Sequence, residues 1–180
     1  MIDQINYFLE KEKYTLDNLK DAYLYACKKD IELVKPGNVN LNSPQSDTTA
    51  QDYLNSATLS SKELFREEYS LGERILKSIN VTRETVRTNT NLGIILLCAP
   101  IVQACINFNN LGLKEGLKKV LKNTSIQDTQ DLCMAIKTSS PGGLGRSNVY
   151  DINSKPITTI EDIMSYSANY DRISYQIGRS

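Results

Sequence analysis

The chain has 180 residues, 40% hydrophobic and 23% charged, with 21 basic against 21 acidic side chains. Those values describe one soluble globular domain with room for a real core, and they lack the basic surplus of a nucleic-acid binder. Histidine is absent, which excludes Ser-His and Cys-His nucleophile pairs and His-ligated zinc, leaving acid–base chemistry to Asp, Glu, Lys, Tyr or Cys.

Read in chain order, Met1-Ile2-Asp3-Gln4 has neither a basic n-region nor an apolar h-region, so no signal peptide is expected. Thr15 can cap a helix in which Leu16, Leu19, Tyr23, Ala26, Cys27, Ile31 and Val34 recur at helical spacing. Pro36-Gly37 is expected to end it. Residues 37 to 48 are rich in Asn, Ser, Pro and Asp, and read as an ordered loop. Four Ser/Thr-x-x-Asp/Glu boxes then predict helix starts at Thr49…Asp52, Ser60…Glu63, Ser125…Asp128 and Thr158…Glu161.

Between these boxes, Asn89-Thr90-Asn91-Leu92-Gly93 is a polar turn that runs into Ile94-Ile95-Leu96-Leu97-Cys98-Ala99. The apolar run from Leu92 to Ile106 contains Pro100 and Gln103 and is too short for a membrane span. It predicts a fully buried helix. Free N–H groups and partial positive charge at its start suit either a plain cap or a phosphate. A short helix follows, with Leu113, Leu117, Val120 and Leu121 in phase. The stretch from Ser139 to Pro156 holds Pro141-Gly142-Gly143-Leu144-Gly145 and reads as a loop able to approach a ligand closely. No segment alternates like a strand, so the predicted fold is a compact all-α, multi-helix single domain. Cys27, Cys98, Cys105 and Cys133 all lie in apolar helical patterns and read as reduced core thiols, as expected of a cytoplasmic protein.

Helical projection at about 100° per residue puts two acids on apolar faces. Asp30 aligns with Tyr23, Cys27 and Val34, and Asp171 aligns with Ile160, Ile163, Met164 and Ala168. A buried carboxylate needs a partner. Each is therefore either a buried ion pair or helix cap, or a group lining an interior cleft as a metal ligand, ribose contact or general base. Glu32 projects to the opposite side and is expected to be solvated. Lys35 precedes Pro36, so its ammonium can turn toward an anion held by the loop or simply snorkel at the surface. Asp47 sits in the polar loop, where a turn role is the plain alternative.

The joint pattern resembles a known family. It runs Ala26-Cys27-x-x-Asp30, Lys35-Pro36-Gly37-Asn38-Val39, Asp47-Thr48…Asp52-Tyr53-Leu54-x-Ser56-Ala57, Leu71-Gly72, Asn89-Thr90-Asn91-Leu92-Gly93-Ile94, Pro141-Gly142-Gly143-Leu144-Gly145 with Asp151, and Asp171-Arg172-Ile173-x-x-Gln176. This is similar to the triphosphoribosyl-dephospho-CoA synthase family, in its archaeal-type branch. The resemblance implies an all-helical fold and a pentosyl transfer. ATP and 3′-dephospho-CoA are joined through the 2′-hydroxyl of the acceptor, and adenine is released. ATP and 3′-dephospho-CoA are the implied partners and Mg²⁺ the implied cofactor, with no nucleic acid or membrane, and a homo-oligomer left open. Asp30 and Asp47 are the implied catalytic or metal-binding acids. Lys35, Gly37, Asn38, Ser56, Asn89, Thr90, Asn91, Gly93, Asp171 and Arg172 are the implied substrate or phosphate contacts.

The chain departs from that pattern in places. The family usually carries Glu where Asp30 stands, which moves the carboxylate by about one C–C bond, ~1.5 Å. Bacterial members resemble Asn-Thr-His-Lys-Gly where this chain has Asn91 and Leu92 in the central positions. Family members also continue beyond the point where this chain stops, so residues 1–180 would correspond to the N-terminal part of the family's fold. An incomplete bundle, a short natural variant and a cut boundary all fit that early stop. Two further functions fit the sequence: a related ATP-dependent enzyme of cofactor biosynthesis with a different acceptor, and a non-catalytic helical nucleotide-binding or interaction module.

Overall fold

A computed structural model describes residues 15–34, 39–40, 48–142, 151–154 and 156–178. They form eight helices and, among the described residues, no sheet. The expected all-α single domain is what the chain adopts.

Helix α1, Leu16–Glu32, starts where Thr15 Oγ1 accepts the Asn18 N–H at 3.2 Å. The helix stops at Glu32, short of the expected end at Pro36-Gly37. Leu33 turns to extended backbone, and Val34 is 76% exposed rather than on the apolar face. With no apolar wall beside these two among the described residues, burial does not favour another turn. Glu32 lies at the surface end of α1 and accepts from Lys29 Nζ at 2.5 Å.

Helix α2, Ala50–Leu64, opens on the Thr49–Asp52 capping box as expected. The box at Ser60…Glu63 is not a start but lies inside α2. Ser60 Oγ donates back to the Ser56 carbonyl at 2.7 Å, so its hydroxyl is satisfied within the helix instead of capping one. The next start is the Ser70–Glu73 box, which opens α3, Leu71–Thr85. Gly72 in its first turn hides this start from a propensity reading, since glycine costs about 1 kcal/mol against alanine.

Helices α4 (Leu92–Asn107), α5 (Leu113–Lys122) and α6 (Ile126–Ser139) follow, the last on the expected Ser125–Asp128 box. Helix α4 is not fully buried. Ile95 and Ala99 are sealed in the core, while Leu97 and Ile101 reach the surface, because α3, α5 and α8 cover α4 only on part of its circumference. Helix α7, Ile160–Ser167, starts on Thr159–Asp162, one residue later than expected, and α8 covers Arg172–Gly178. None of the described helices is long and apolar enough to cross a membrane.

Helix α3 is the hub, packing on α6, α2 and α4. Its contact with α6 is backbone-close at Gly72, where an added Cβ would lie 2.4 Å from Asp128 Cα. The Asp128 carboxylate fills the junction. It accepts the Gly72 N–H at 2.8 Å and closes its own capping box with Ser125. Burial raises its pKa, but hydrogen bonds from Ser125, Ser70 and Gly72 outweigh burial, and the carboxyl titrates below its usual value.

Two predictions follow from this junction. Gly72→Ala gains about 1 kcal/mol of helix propensity but forces α3 and α6 apart, at about 1–3 kcal/mol for overpacking, so a lower urea midpoint is expected. For Asp128→Asn, a depressed folded pKa means the stabilisation is present above the unfolded value near ~3.9 and is lost as pH falls through the folded value. The stability gap between wild type and Asp128→Asn, about 1–3 kcal/mol at neutral pH for lost charge-assisted bonds, should therefore close as urea titrations are repeated at progressively lower pH. A gap independent of pH would contradict the assignment.

Candidate active site

The polar turn at 88–91 enters α4 against the middle of α1 and the first turns of α2. The narrow cleft between them is lined by Tyr23, Cys27, Asp30 and Ile31 of α1, Tyr53 and Ala57 of α2, Thr90 and Asn91 of the turn, and Ile94 of α4. Helical spacing explains the α1 wall, since Tyr23, Cys27, Asp30 and Ile31 follow the i, i+4, i+7, i+8 pattern of one face. Tyr53 and Ala57 make the same i, i+4 pair on α2.

Behind this wall runs a track of buried hydroxyls. Ser56 Oγ donates to the Asp52 carbonyl at 2.6 Å and lies 2.5 Å from Thr90 Oγ1. A hydroxyl has one proton, so Thr90 is the donor to Ser56. One turn on, Ser60 spends its proton on the Ser56 carbonyl, so Tyr23 donates its phenol to Ser60 Oγ at 2.9 Å. Asn91 Nδ2 donates to Thr82 Oγ1 at 3.2 Å and at a longer 3.5 Å to the Ser56 carbonyl. Two side chains of the turn are thus tied to α2 and α3 from inside.

The implied site residues divide accordingly. Asp30, half-buried, lines the cleft with Thr90 and Asn91. Ser56 is fully buried and reaches the cleft only through Thr90, which makes it a support and not a surface a ligand touches. Asn91 is 7% exposed, with its amide protons turned inward. Asn89 is exposed and its Oδ1 accepts the Leu92 N–H at 3.2 Å, so it caps the first turn of α4. At Gly93 an added Cβ would meet Ile173 Cδ1 at 3.2 Å, so this glycine admits α8 beside the turn.

Asp171 departs most from its projected position. The α7 helix ends at Ser167 and a turn through 168–170 breaks the phase, leaving Asp171 exposed. There it accepts the Ser174 N–H at 2.7 Å. The carboxylate that projection set on a buried face is a surface cap, and Arg172 beside it is also exposed. Lys35, Gly37, Asn38 and Asp47 lie outside the described residues, as does Gly143 to Tyr150 of the glycine-rich loop. Val39 and Thr48, on either side of the 41–47 stretch, are both buried.

Burial disfavours the thiolate at all four cysteines. Burial pushes the pKa of Cys27, Cys105 and Cys133 up, and that of Cys98 up to about 12. Burial, with Cys27 next to it, also raises the Tyr23 phenol, and its ring rests on Phe65 at 5.9 Å. Among the described residues no three acids or thiols gather into a metal cluster. Tyr23, Tyr53 and Ile94 were not singled out as site residues by sequence. Their place in the cleft is set by the packing of α1, α2 and α4 on one another, which no spacing within one helix carries.

The family described as CitG: ATP:dephospho-CoA triphosphoribosyl transferase matches residues 16–179. The chain belongs to this family. CitG members are triphosphoribosyl transferases, and the match extends from the first described helix through the last. No curated protein and no solved structure matches the chain. Within the CitG fold as this chain builds it, the Asn89–Gly93 turn is held by α2, α3 and α8 together.

The Ser56–Thr90 bond gives a direct test of that support. Thr90→Val and Ser56→Ala should each cost about 1 kcal/mol in urea unfolding, and the double variant less than their sum. Full additivity in the double-mutant cycle would remove the bond as the tie between turn and α2.

Proposed function

We propose that the cleft between α1, α2 and the start of α4 is where this CitG chain transfers the 5-triphosphoribosyl group of ATP to the 2′-hydroxyl of 3′-dephospho-CoA. The observation that carries this reading is the convergence of the Asp30 carboxylate and the N-terminal turn of α4 on one cleft. Transfer breaks the bond between adenine N9 and ribose C1′, and the acceptor oxygen bonds to C1′. The acceptor proton must leave, and adenine takes the electron pair of the broken bond.

Asp30 suits two parts of that demand. Its carboxylate can take the acceptor proton, and its negative charge favours the positive charge that develops at C1′. The free N–H groups and positive end of α4 suit a triphosphate oxygen at the mouth of the cleft. Asn91, with its amide protons used inside, orients this turn, and Asn89 caps it.

The donor chemistry fits Mg²⁺. This ion takes one or two carboxylates and fills its other positions with phosphate oxygens and water, and Asp30 offers a hard oxygen at the cleft. Bound there, Mg²⁺ would neutralise triphosphate charge. Asp47 is the second carboxylate proposed for it. Four free cysteines also fit a reducing cytoplasm.

Asp30→Asn preserves shape while removing the base and the charge. Adenine release from ATP with dephospho-CoA should fall by about 10²–10⁴-fold, with the melting temperature near that of wild type. Undiminished turnover in Asp30→Asn would move the chemistry elsewhere.

A further inference from the structure

Helix α4 presents a surface at odds with its sequence. From Leu92 to Asn107 it carries no charged side chain. A helix that is apolar all round belongs in a core, whereas a surface helix sets charged residues on its outer face. Helix α5 follows that rule, with Lys114, Lys118, Lys119 and Lys122 turned outward. Helix α4 does not. Leu97 and Ile101, one turn apart, are 38% and 37% exposed, and Cys98 and Cys105 are half-buried beside them. The stripe has α1 on one flank, where Ile94 meets the cleft, and α8 and α5 on the other, where Gly93 meets Ile173 and Ala104 meets Gly116.

The start of α1 lies next to this stripe. Helix α1 runs antiparallel to α4. Its last turn, Asp30 and Ile31, lines the cleft with Thr90, Asn91 and Ile94, while Tyr23 and Cys27 lie within electrostatic reach of Cys98, one turn further along α4. Followed back over about 16 Å from Cys27, α1 begins at Leu16 beside the end of α4. The chain before Thr15 therefore enters where the exposed stripe ends.

We propose that residues 2–9 cover this stripe as an amphipathic helix folded back from the start of α1. Residues 1–14 lie outside the described residues, and their sequence supports the reading. Ile2, Ile5, Phe8 and Leu9 fall within about 120° of one helical face, and Asp3, Gln4 and Asn6 fall outside it. Glu10-Lys11-Glu12-Lys13-Tyr14 then supplies a polar link of a length usual between packed helices, about 2–8 residues. A helix over residues 2–9 spans about 12 Å, and so does α4 from Leu97 to Cys105. A second copy of the chain suits the stripe less well. A stable interface takes about 800 Å² from each partner, more than a strip one or two side chains wide between flanking helices can give.

Cys105, at the edge of the stripe, reports on the cover. The test follows its alkylation by N-ethylmaleimide on the full chain, mapped by peptide mass, with the buried Cys133 of α6 as internal reference. In the double variant Ile5→Asp, Leu9→Asp the rate at Cys105 should rise by roughly tenfold or more, because two buried apolar side chains no longer hold the cover closed. Cys133 should react as slowly as in wild type, and light scattering should give a monomer for both proteins. Asp3→Asn, off the apolar face, should leave Cys105 unchanged. Equal rates at Cys105 in wild type and the double variant would overturn the proposal. Protection of Cys105 that grows with protein concentration, together with a dimer in light scattering, would overturn it too, by giving the stripe to a second copy. Should the double variant fail to fold, seen as Cys133 reacting as well, Ile5→Ser is read by the same comparison.

Discussion

A single buried guanidinium holds the arrangement on which the cleft depends. Arg74, in the first turns of α3, is fully buried, and burial pulls its pKa down to about 10, still well above neutral. Its Nε donates to Gln103 Oε1 at 2.8 Å, Nη2 to the Tyr69 carbonyl at 3.2 Å, and Nη1 to the Leu64 carbonyl. Leu64 is the last residue of α2, so the cation sits at the negative end of that helix. Gln103 lies on α4. One side chain thus fastens α2, the 65–70 connection, α3 and α4 in a fixed relation. Lysine could not do the same, since a point charge lacks the planar fork that meets three acceptors at once.

The packed faces of α2 and α3 carry a row of buried hydroxyls. Ser56, Ser60, Ser61, Ser78 and Thr82 on α2 and α3 are all at most 1% exposed. Most of these hydroxyls donate back to helix carbonyls, so burial leaves few unsatisfied groups; Ser78 Oγ is an exception among the described residues. Small hydroxyl side chains let α2 and α3 approach closely. They also supply directional contacts, which an all-aliphatic interface lacks. The turn that opens α4 is hung from this layer by Thr90 and Asn91. A greasy interface could shift by a fraction of a side chain without penalty, whereas this one cannot shift without breaking bonds to the cleft.

How much was legible in sequence depended on whether a signal was local. Capping boxes and helical periodicity located α1, α2, α4, α5 and α6 closely, because each rests on residues three or four apart. The Ser60…Glu63 box misled, since the pattern is local but the choice between cap and helix interior is made by the apolar surface that α2 buries. Asp171 misled for the converse reason. Projection assumes an unbroken helix, and the turn at 168–170 carries no proline or glycine to announce it. Asp30 was recognisable because its helix is regular from Leu16 to Glu32. Tyr53 was not, because the cleft it lines is completed by α1 and α4, and no spacing within α2 encodes that. Arg74 gave no signal either; a lone arginine in an amphipathic helix looks like a surface residue until the end of α2, the 65–70 connection and Gln103 of α4 surround it with acceptors.

The contact between Gly93 and Ile173 has a consequence for timing. It joins the first turn of α4 to α8 across nearly half the chain, while α1 meets the other side of the same turn from near the opposite end. Closure of such distant contacts comes late, after the local helices have formed. As the polypeptide emerges during synthesis, α1 to α6 can collapse around Arg74 while the 88–93 turn still lacks its outer cover. The cleft walls, all drawn from residues 23–94, can therefore stand before the turn behind them gains its outer cover, and a partly made chain would carry a nearly complete core with a site still open on one flank.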